Sequence, residues 1–157
     1  MSYQTPLDFS KQLIKGKIAE LVFDQMFRQS SGYTVIPFGY EAIMPEIIQY
    51  AERADRKELF ENISNAPDFA LVSHDPKQVL LVEVKYRSTL DIEKIKETAT
   101  KICEQWKLAW LFLATPQGFF FDSCNDLIHQ DKLTPLGDEM VPFETQIKYL
   151  KLLGEFI

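Results

Sequence analysis

Apolar residues recur along the chain with two different periods, one typical of helices and one of strands. Four segments have the helical period, and they predict helices over residues 5–29, 45–64, 91–106 and 143–157. In the first segment, the apolar residues at helical spacing are Ile14, Ile18, Leu21 and Val22. In the last, the apolar stripe is Ile147, Leu150, Leu153 and Ile157, which is expected to pack on a sheet or to serve a dimer.

Short apolar runs bounded by turn residues predict five strands, over residues 33–38, 68–73, 78–86, 110–115 and 118–123. Asp75 and Pro76 form the turn between the second and third strands. The run 110–115 is apolar throughout, which is typical of an interior strand with both faces covered. Without the 45–64 helix, the elements follow the order α-β-β-β-α-β. The predicted fold is therefore α/β, a mixed sheet flanked by helices.

Three charged residues interrupt the second and third strands. A hairpin symmetric about Asp75 and Pro76 places Asp68 directly opposite Glu83, with Cβ atoms about 5 Å apart. Lys85 follows Glu83 by two residues and so points to the same face of the sheet, whereas Val84 points to the other. One face of the hairpin therefore gathers two carboxylates and one ammonium group.

Two carboxylates opposed on a sheet repel each other, and one lysine can neutralise only one of them. A divalent cation resolves the imbalance, because Mg²⁺ is bound through one or two carboxylates together with water and substrate phosphates. Such a site supports metal-assisted hydrolysis of a phosphodiester, with lysine beside the reacting water. The alternative interpretation is a salt-bridged patch at a strand end.

Pro67-Asp68 on one strand and Glu83-Val84-Lys85 on the next resemble the PD-(D/E)xK nuclease superfamily, which includes restriction endonucleases and archaeal Holliday junction resolvases. The resemblance covers roughly residues 16–115. It implies a restriction-endonuclease-like αβββαβ core with a helical insertion, about residues 45–64, before the second strand. It also implies Mg²⁺-dependent cleavage of nucleic acid, with DNA as the expected polymer, RNA as the alternative, and Mn²⁺ as a substitute metal.

The resemblance further assigns roles to individual residues. Asp68 and Glu83 would ligate the metal, the Val84 carbonyl would be a further ligand, and Lys85 would act on the attacking water. The first helix contains Gly-Lys-Ile-Ala-Glu, in which Glu20 offers the acidic residue that many members carry there. Gly16, one turn earlier, would leave room for a phosphate backbone.

The chain departs from the superfamily pattern after the motif. Where some members have Gln-x-x-x-Tyr on the helix, this chain has Lys101 and Gln105, a polar pair expected to touch substrate. Two other features have open interpretations. Arg53, Arg56 and Lys57 form either a basic patch or a mixed-charge face, and the run 119–121 of phenylalanines forms either a stacking platform for bases or part of the core.

The 157 residues carry a formal net charge of −6, which argues against a broad basic face for nucleic acid. A local basic patch, a homodimer or a partner subunit would then have to supply positive surface. Cys103 and Cys124 have no metal-ligand spacing and fit a reducing cytoplasm. No apolar stretch resembles a signal peptide or a membrane span. The expected protein is one cytoplasmic domain spanning residues 1–157, either a nuclease or an inactive nuclease-like module for nucleic-acid binding or protein assembly.

Overall fold

A computed structural model of the chain describes residues 5–39, 66–75 and 77–157. The helices are α1 (Pro6–Gln29), α2 (Ile92–Gln105), α3 (Cys124–His129) and α4 (Phe143–Phe156). The strands are β1 (Tyr33–Pro37), β2 (Phe69–Ser73), β3 (Val79–Tyr86), β4 (Trp110–Thr115) and β5 (Gly118–Ser123). The helix predicted over residues 45–64, which is the expected insertion and includes Arg53, Arg56 and Lys57, lies outside the described residues. Pro76 of the predicted turn lies outside them as well.

Helix α1 begins where the sequence offers a complete capping box. The Thr5 hydroxyl accepts a hydrogen bond from the backbone N–H of Asp8 (3.1 Å), and the Asp8 carboxylate accepts one from the N–H of Thr5 (3.4 Å). Pro6 occupies the first helical position, where its missing N–H costs no hydrogen bond. Two N–H groups that the helix start leaves unpaired are thus satisfied by neighbouring side chains.

Of the apolar residues at helical spacing on α1, Val22 and Ile18 pack in the core, and the buried side of the helix is otherwise different. It is formed by Ala19, Val22, Phe23, Met26 and Phe27. Ile14 and Leu21, which fall at helical spacing with Val22, are 58% and 61% exposed. Phe23 and Phe27 bring larger apolar surfaces and lie four residues apart, so they determine which side faces the sheet. Leu21 precedes Phe23 by two residues and therefore lies about 200° away around the helix.

The five strands form one sheet in the order β1-β2-β3-β4-β5. The β1–β2, β2–β3 and β4–β5 pairs are antiparallel, and β3–β4 is parallel. A parallel pair needs a crossover connection, which α2 provides. The sheet is therefore mixed, and the order from α1 to β4 is the predicted α-β-β-β-α-β. The fold is the predicted α/β class, consistent with a restriction-endonuclease-like core.

The sheet separates two hydrophobic cores. The first lies between the sheet and the helices α1 and α4, and it includes Phe23, Val82, Val84, Phe112 and Leu153. The second lies between the sheet and the helices α2 and α3, and it includes Ile95, Ala99, Leu111, Leu113 and Leu127. Alternate residues of β4 thus enter opposite cores, which explains why the run 110–115 is apolar throughout and confirms its interior position.

The phenylalanine run at 119–121 and the apolar stripe of α4 can now be compared with their predicted roles. Phe119 and Phe121 are buried, so the phenylalanine run packs in the core and does not form a stacking platform. In α4, Leu153 is buried, whereas Ile147 is 67% exposed and does not join the packed stripe. The short helix α3 was not predicted, because its six residues are too few to display a helical period.

After α3, the chain returns along β5. Pro135 forms a β-bridge with Phe120, and the N–H groups of Phe121 and Leu136 exchange hydrogen bonds with the opposite segment (both 2.9 Å). Residues 134–136 therefore lie beside the outer side of β5. None of the described helices is both long and apolar enough to span a lipid bilayer.

The packing predicts that Phe112 is a principal contributor to stability. Its ring is fully buried and lies within 6.3 Å, centroid to centroid, of the rings of Phe23, Phe27, Phe119 and Phe121. Phe112→Ala should lower the free energy of unfolding by about 3–5 kcal/mol, because it removes buried surface and leaves a cavity. Urea denaturation followed by circular dichroism measures the change.

Leu108→Ala is the control, because Leu108 is 86% exposed and its truncation should change stability by less than about 0.5 kcal/mol. Equal losses for the two variants would contradict the described core.

Candidate active site

The β2–β3 hairpin has the predicted register. Phe69 is paired with Val82, and continuing this pairing by one residue places Asp68 opposite Glu83. Val82 and Val84 are buried in the core below α1. Side chains alternate along a strand, so Glu83 and Lys85 point to the other side of the sheet. The hairpin therefore separates its apolar residues from its charged ones.

Asp68 is held at the start of β2 by its backbone and by its side chain. The Asp68 carbonyl accepts hydrogen bonds from the N–H groups of Phe38 (2.9 Å) and Gly39 (3.1 Å). The carboxylate oxygen Oδ2 accepts a hydrogen bond from the N–H of Val84 on β3 (2.8 Å). The Asp68 side chain thus takes the place of a strand residue as the partner of Val84.

Pro67 explains why a side chain is needed there. Continuing the strand register by one more residue places Pro67 opposite Val84. Proline has no backbone N–H, so it cannot donate to the Val84 carbonyl as a ladder residue would. The N–H and the carbonyl of one strand residue point to the same side of the strand. The Val84 carbonyl therefore points toward Asp68 and receives no hydrogen bond from Pro67.

Two lysines balance part of the negative charge. Lys85 Nζ lies 3.6 Å from Glu83 Oε1, so both side chains are on one face of β3, as the period-two spacing predicts. On α1, Lys17 Nζ lies 3.3 Å from Glu20 Oε2. The side chains of Glu83 and Glu20 are 14% and 24% exposed, whereas both lysines are more open to solvent.

Glu20, Asp68 and Glu83 form a chain of interacting carboxyl groups, with Asp68 in the middle. Burial, together with the charge and hydrogen bond of Asp68, raises the pKa of Glu20 to about 7. Burial and the charge of Glu83 raise the pKa of Asp68 to about 7, although the Val84 N–H opposes the shift. Burial raises the pKa of Glu83 as well, and Lys85 opposes it. Crowded, buried acids of this kind are typical of functional sites.

The donor set fits a hard divalent cation. Mg²⁺ takes oxygen ligands and is commonly bound through one or two carboxylates, with water completing its shell. Asp68, Glu83 and the Val84 carbonyl supply such oxygens, and a cation would relieve the repulsion that raises the carboxyl pKa values. Within the described ranges, no three acidic, histidine or cysteine side chains are arranged to hold a metal ion between them. The fit thus rests on two carboxylates and a carbonyl, with Glu20 outside the set.

Two clefts meet at these carboxyl groups. One, of about 900 Å³, is lined by residues of both α1 and α2, which belong to different helix layers, so it opens at the end of the sheet. The other, of about 790 Å³, runs past the C-terminal end of β3. The residues that line both clefts are Lys17, Glu20, Asp68, Glu83, Lys85 and Arg87. The two clefts therefore form one groove with the carboxylates at its middle.

The residues expected to contact substrate all line this groove. Lys101 and Gln105 line the first cleft, and Gly16 lines the second. A Cβ atom built at Gly16 would meet no heavy atom within 4 Å, so packing does not require glycine there. The groove thus contains every residue that the resemblance implied for the site, and their roles remain predictions.

Of the six residues that line both clefts, two were not predicted from the sequence, Lys17 and Arg87. Lys17 lies three residues before Glu20, which is the spacing of neighbours on one helix face. Arg87 continues the period-two series that starts with Glu83 and Lys85. Extending the series beyond the recognised motif would have identified Arg87 from the sequence alone.

Comparison with known proteins assigns neither a family nor an activity to the chain. No protein-family model matches the chain, and no curated protein matches it. Among solved structures, the chain is similar to Hjc of Archaeoglobus fulgidus, a Holliday junction resolvase from an archaeal hyperthermophile. The match covers 83% of this chain and 98% of that one, at 15% sequence identity and a TM-score of 0.37. Similarity at this level does not assign an activity to this chain.

The raised carboxyl pKa values predict an unusual dependence of stability on pH. Between about pH 4 and pH 7, the folded protein retains protons on Glu20 and Asp68 that the unfolded chain releases. Stability therefore falls as pH rises through this window. Glu20 and Asp68 titrate as a coupled pair, so we count one retained proton for the two. In the presence of a chelator, the free energy of unfolding should then drop by on the order of 3 kcal/mol between pH 4.5 and pH 8, measured by urea denaturation.

Asp68→Asn should flatten this dependence, because the amide carries no charge and Asp68 interacts with both other acids. Glu155→Gln, which changes an exposed acid on α4, should leave it unchanged. A wild-type protein that gains stability from pH 4.5 to pH 8 would contradict the described cluster.

Proposed function

We propose that the protein is a Mg²⁺-dependent nuclease that hydrolyses phosphodiester bonds in DNA. The observation that carries the proposal is the placement of Asp68 and Glu83 opposite each other, partly buried, beside Lys85 in a groove. A binding surface has no evident need for two repelling carboxylates at its centre. The Asp68 and Glu83-x-Lys85 pattern, which resembles the PD-(D/E)xK superfamily, supports the same activity.

In this proposal, Asp68, Glu83 and the Val84 carbonyl hold the cation. The Val84 N–H fixes the orientation of the Asp68 carboxylate, and Pro67 leaves the Val84 carbonyl without a ladder donor. When bound, Mg²⁺ supplies Lewis-acid polarisation of the phosphoryl oxygen and lowers the pKa of a bound water. Mn²⁺ is the expected substitute, since it accepts the same oxygen donors.

Lys85 positions the attacking water and stabilises the negative charge that develops on the phosphate. Its ammonium group lies beside Glu83 and is more exposed than the carboxylate, so it can reach a substrate in the groove. Glu20 acts through Asp68, whose negative charge is close enough to raise the pKa of Glu20. It orients that carboxylate and adds to the negative potential that attracts a cation.

Substrate contacts in this proposal come from a few residues of the groove. Lys101 and Gln105 contact phosphate or sugar on the α2 side, and Gly16 allows the backbone of the polymer to approach α1 closely. With a net charge of −6 the chain as a whole repels phosphate, so a second copy or a partner subunit supplies further positive surface. Binding should thus depend on few phosphate contacts.

Lys85→Ala should abolish Mg²⁺-dependent cleavage, and Asp68→Ala should weaken metal binding as well. Lys85 stabilises the negative charge that develops on the phosphate, a role worth about 10²-fold or more in rate. Asp68 is instead a ligand of the metal ion. The assay follows cleavage of single-stranded, duplex and branched DNA with Mg²⁺ or Mn²⁺, with metal affinity measured by isothermal titration calorimetry.

Lys148→Ala, which removes an exposed lysine on α4, is the matched control and should cut as the wild type does. If the wild type binds no divalent cation and cuts nothing, the protein is the alternative, a nuclease-like module for nucleic-acid binding or protein assembly. If Lys85→Ala cuts as well as the wild type, the role given to Lys85 is wrong.

Gly16→Ala should separate stability from function. Alanine favours a helix over glycine by about 1 kcal/mol, and a Cβ at Gly16 meets open space, so the variant should be as stable as the wild type or more so. The methyl group would enter the groove, and we expect weaker DNA binding by fluorescence anisotropy. Gly154→Ala on α4, also with open space around its Cβ, is the matched control. Unchanged binding by Gly16→Ala would contradict the role of Gly16.

A further inference from the structure

Arg87 is a cation that lines the groove. It follows Glu83 and Lys85 at period two on the side of the sheet that faces α2, just after β3 ends. Its side chain is partly buried and lines both clefts. Across residues 5–39, 66–75 and 77–157, no carboxylate forms an ion pair with Arg87. Partial burial of a charged group that lacks an ion-pair partner is unfavourable, so the position of the Arg87 guanidinium needs an explanation.

Neutral contacts hold the guanidinium in place. Nη1 donates to the Tyr86 carbonyl (2.9 Å) and Nη2 donates to the Thr98 hydroxyl on α2 (3.4 Å). Thr98 is itself fixed, because its hydroxyl donates to the Lys94 carbonyl (3.1 Å). A guanidinium has five N–H donors, so these contacts orient it and leave donors for a ligand. Burial lowers the pKa of Arg87.

We propose that Arg87 binds a phosphate of the nucleic-acid strand next to the one that is hydrolysed. This inference rests on the proposed function, since it concerns the substrate of the same groove. A guanidinium fork matches the oxygens of a phosphate, and a pre-oriented fork loses little conformational freedom on binding. Arg87 follows Lys85 by two residues, which is about 7 Å along an extended chain. The phosphate that it holds therefore lies outside the carboxylate cluster and fixes the nucleic-acid strand along the groove.

The test is DNA binding measured by fluorescence anisotropy in Ca²⁺ over a range of salt concentrations, alongside steady-state cleavage in Mg²⁺. Arg87→Gln should raise the dissociation constant about 10-fold and reduce the salt slope by about one phosphate contact. Where cleavage is measurable, KM should rise more than kcat falls. Arg87→Lys keeps the charge and should restore the salt slope but not the full affinity.

Arg28→Gln is the control, because Arg28 pairs with Asp24 on α1 and lines neither cleft. A purely structural Arg87 would lower the melting temperature without changing the salt slope, and that result would overturn the inference. So would a wild type that binds no DNA. A wild type that binds DNA with the predicted Arg87 dependence but does not cut it would overturn the proposed nuclease activity and leave Arg87 as a phosphate-binding residue.

Discussion

The register of the β2–β3 hairpin determines both the core and the candidate site. With Phe69 opposite Val82, the even-numbered residues of β3 enter the core below α1, and Glu83, Lys85 and Arg87 face the groove. Because strand side chains alternate, a slip of one residue would bury the charges and expose the valines. The cost of burying three charges is what makes this register specific. Packing and chemistry are therefore determined by the same pairing, and neither can change without the other.

Electrostatic strain is concentrated at the middle of the groove, where the carboxyl groups lie. Three acids interact within a protein whose net charge is already negative, and among the described residues Lys17 and Lys85 form ion pairs with two of them. Repulsion of this size must be compensated either by retained protons or by a bound cation. The metal-free protein keeps protons on its carboxyl groups, which a bound cation would displace. As pH rises, its free energy of unfolding therefore falls while its affinity for a cation increases. Arg87 stands apart from this balance, because none of the acids that the structure describes forms an ion pair with it.

Much of this arrangement could be predicted from the sequence, and the failures have physical causes. The strand bounds and the Asp68–Glu83 register follow from apolar runs and a short turn, which are local signals. On α1, Val22 and Ile18 pack in the core as their helical spacing suggests, but Ile14 and Leu21 do not. Several apolar residues compete on that helix, and only contact with the sheet shows that Phe23 and Phe27 face it. Ile147 was misplaced on α4 for the same reason. Arg87 was missed because the family motif ends at Lys85, although the strand periodicity continues.

The segment that returns beside β5 has a consequence for assembly. An open strand at the border of a sheet offers its backbone groups to any extended chain, and this is a common route to association and aggregation. On the β5 side, residues 134–136 already occupy those groups, and Pro135 has no N–H with which to recruit a further strand. The β1 side is the strand adjacent to β2, where the site begins. Pro37, the last residue of β1, lines the groove, so a chain that pairs with this end of β1 would compete with substrate for space.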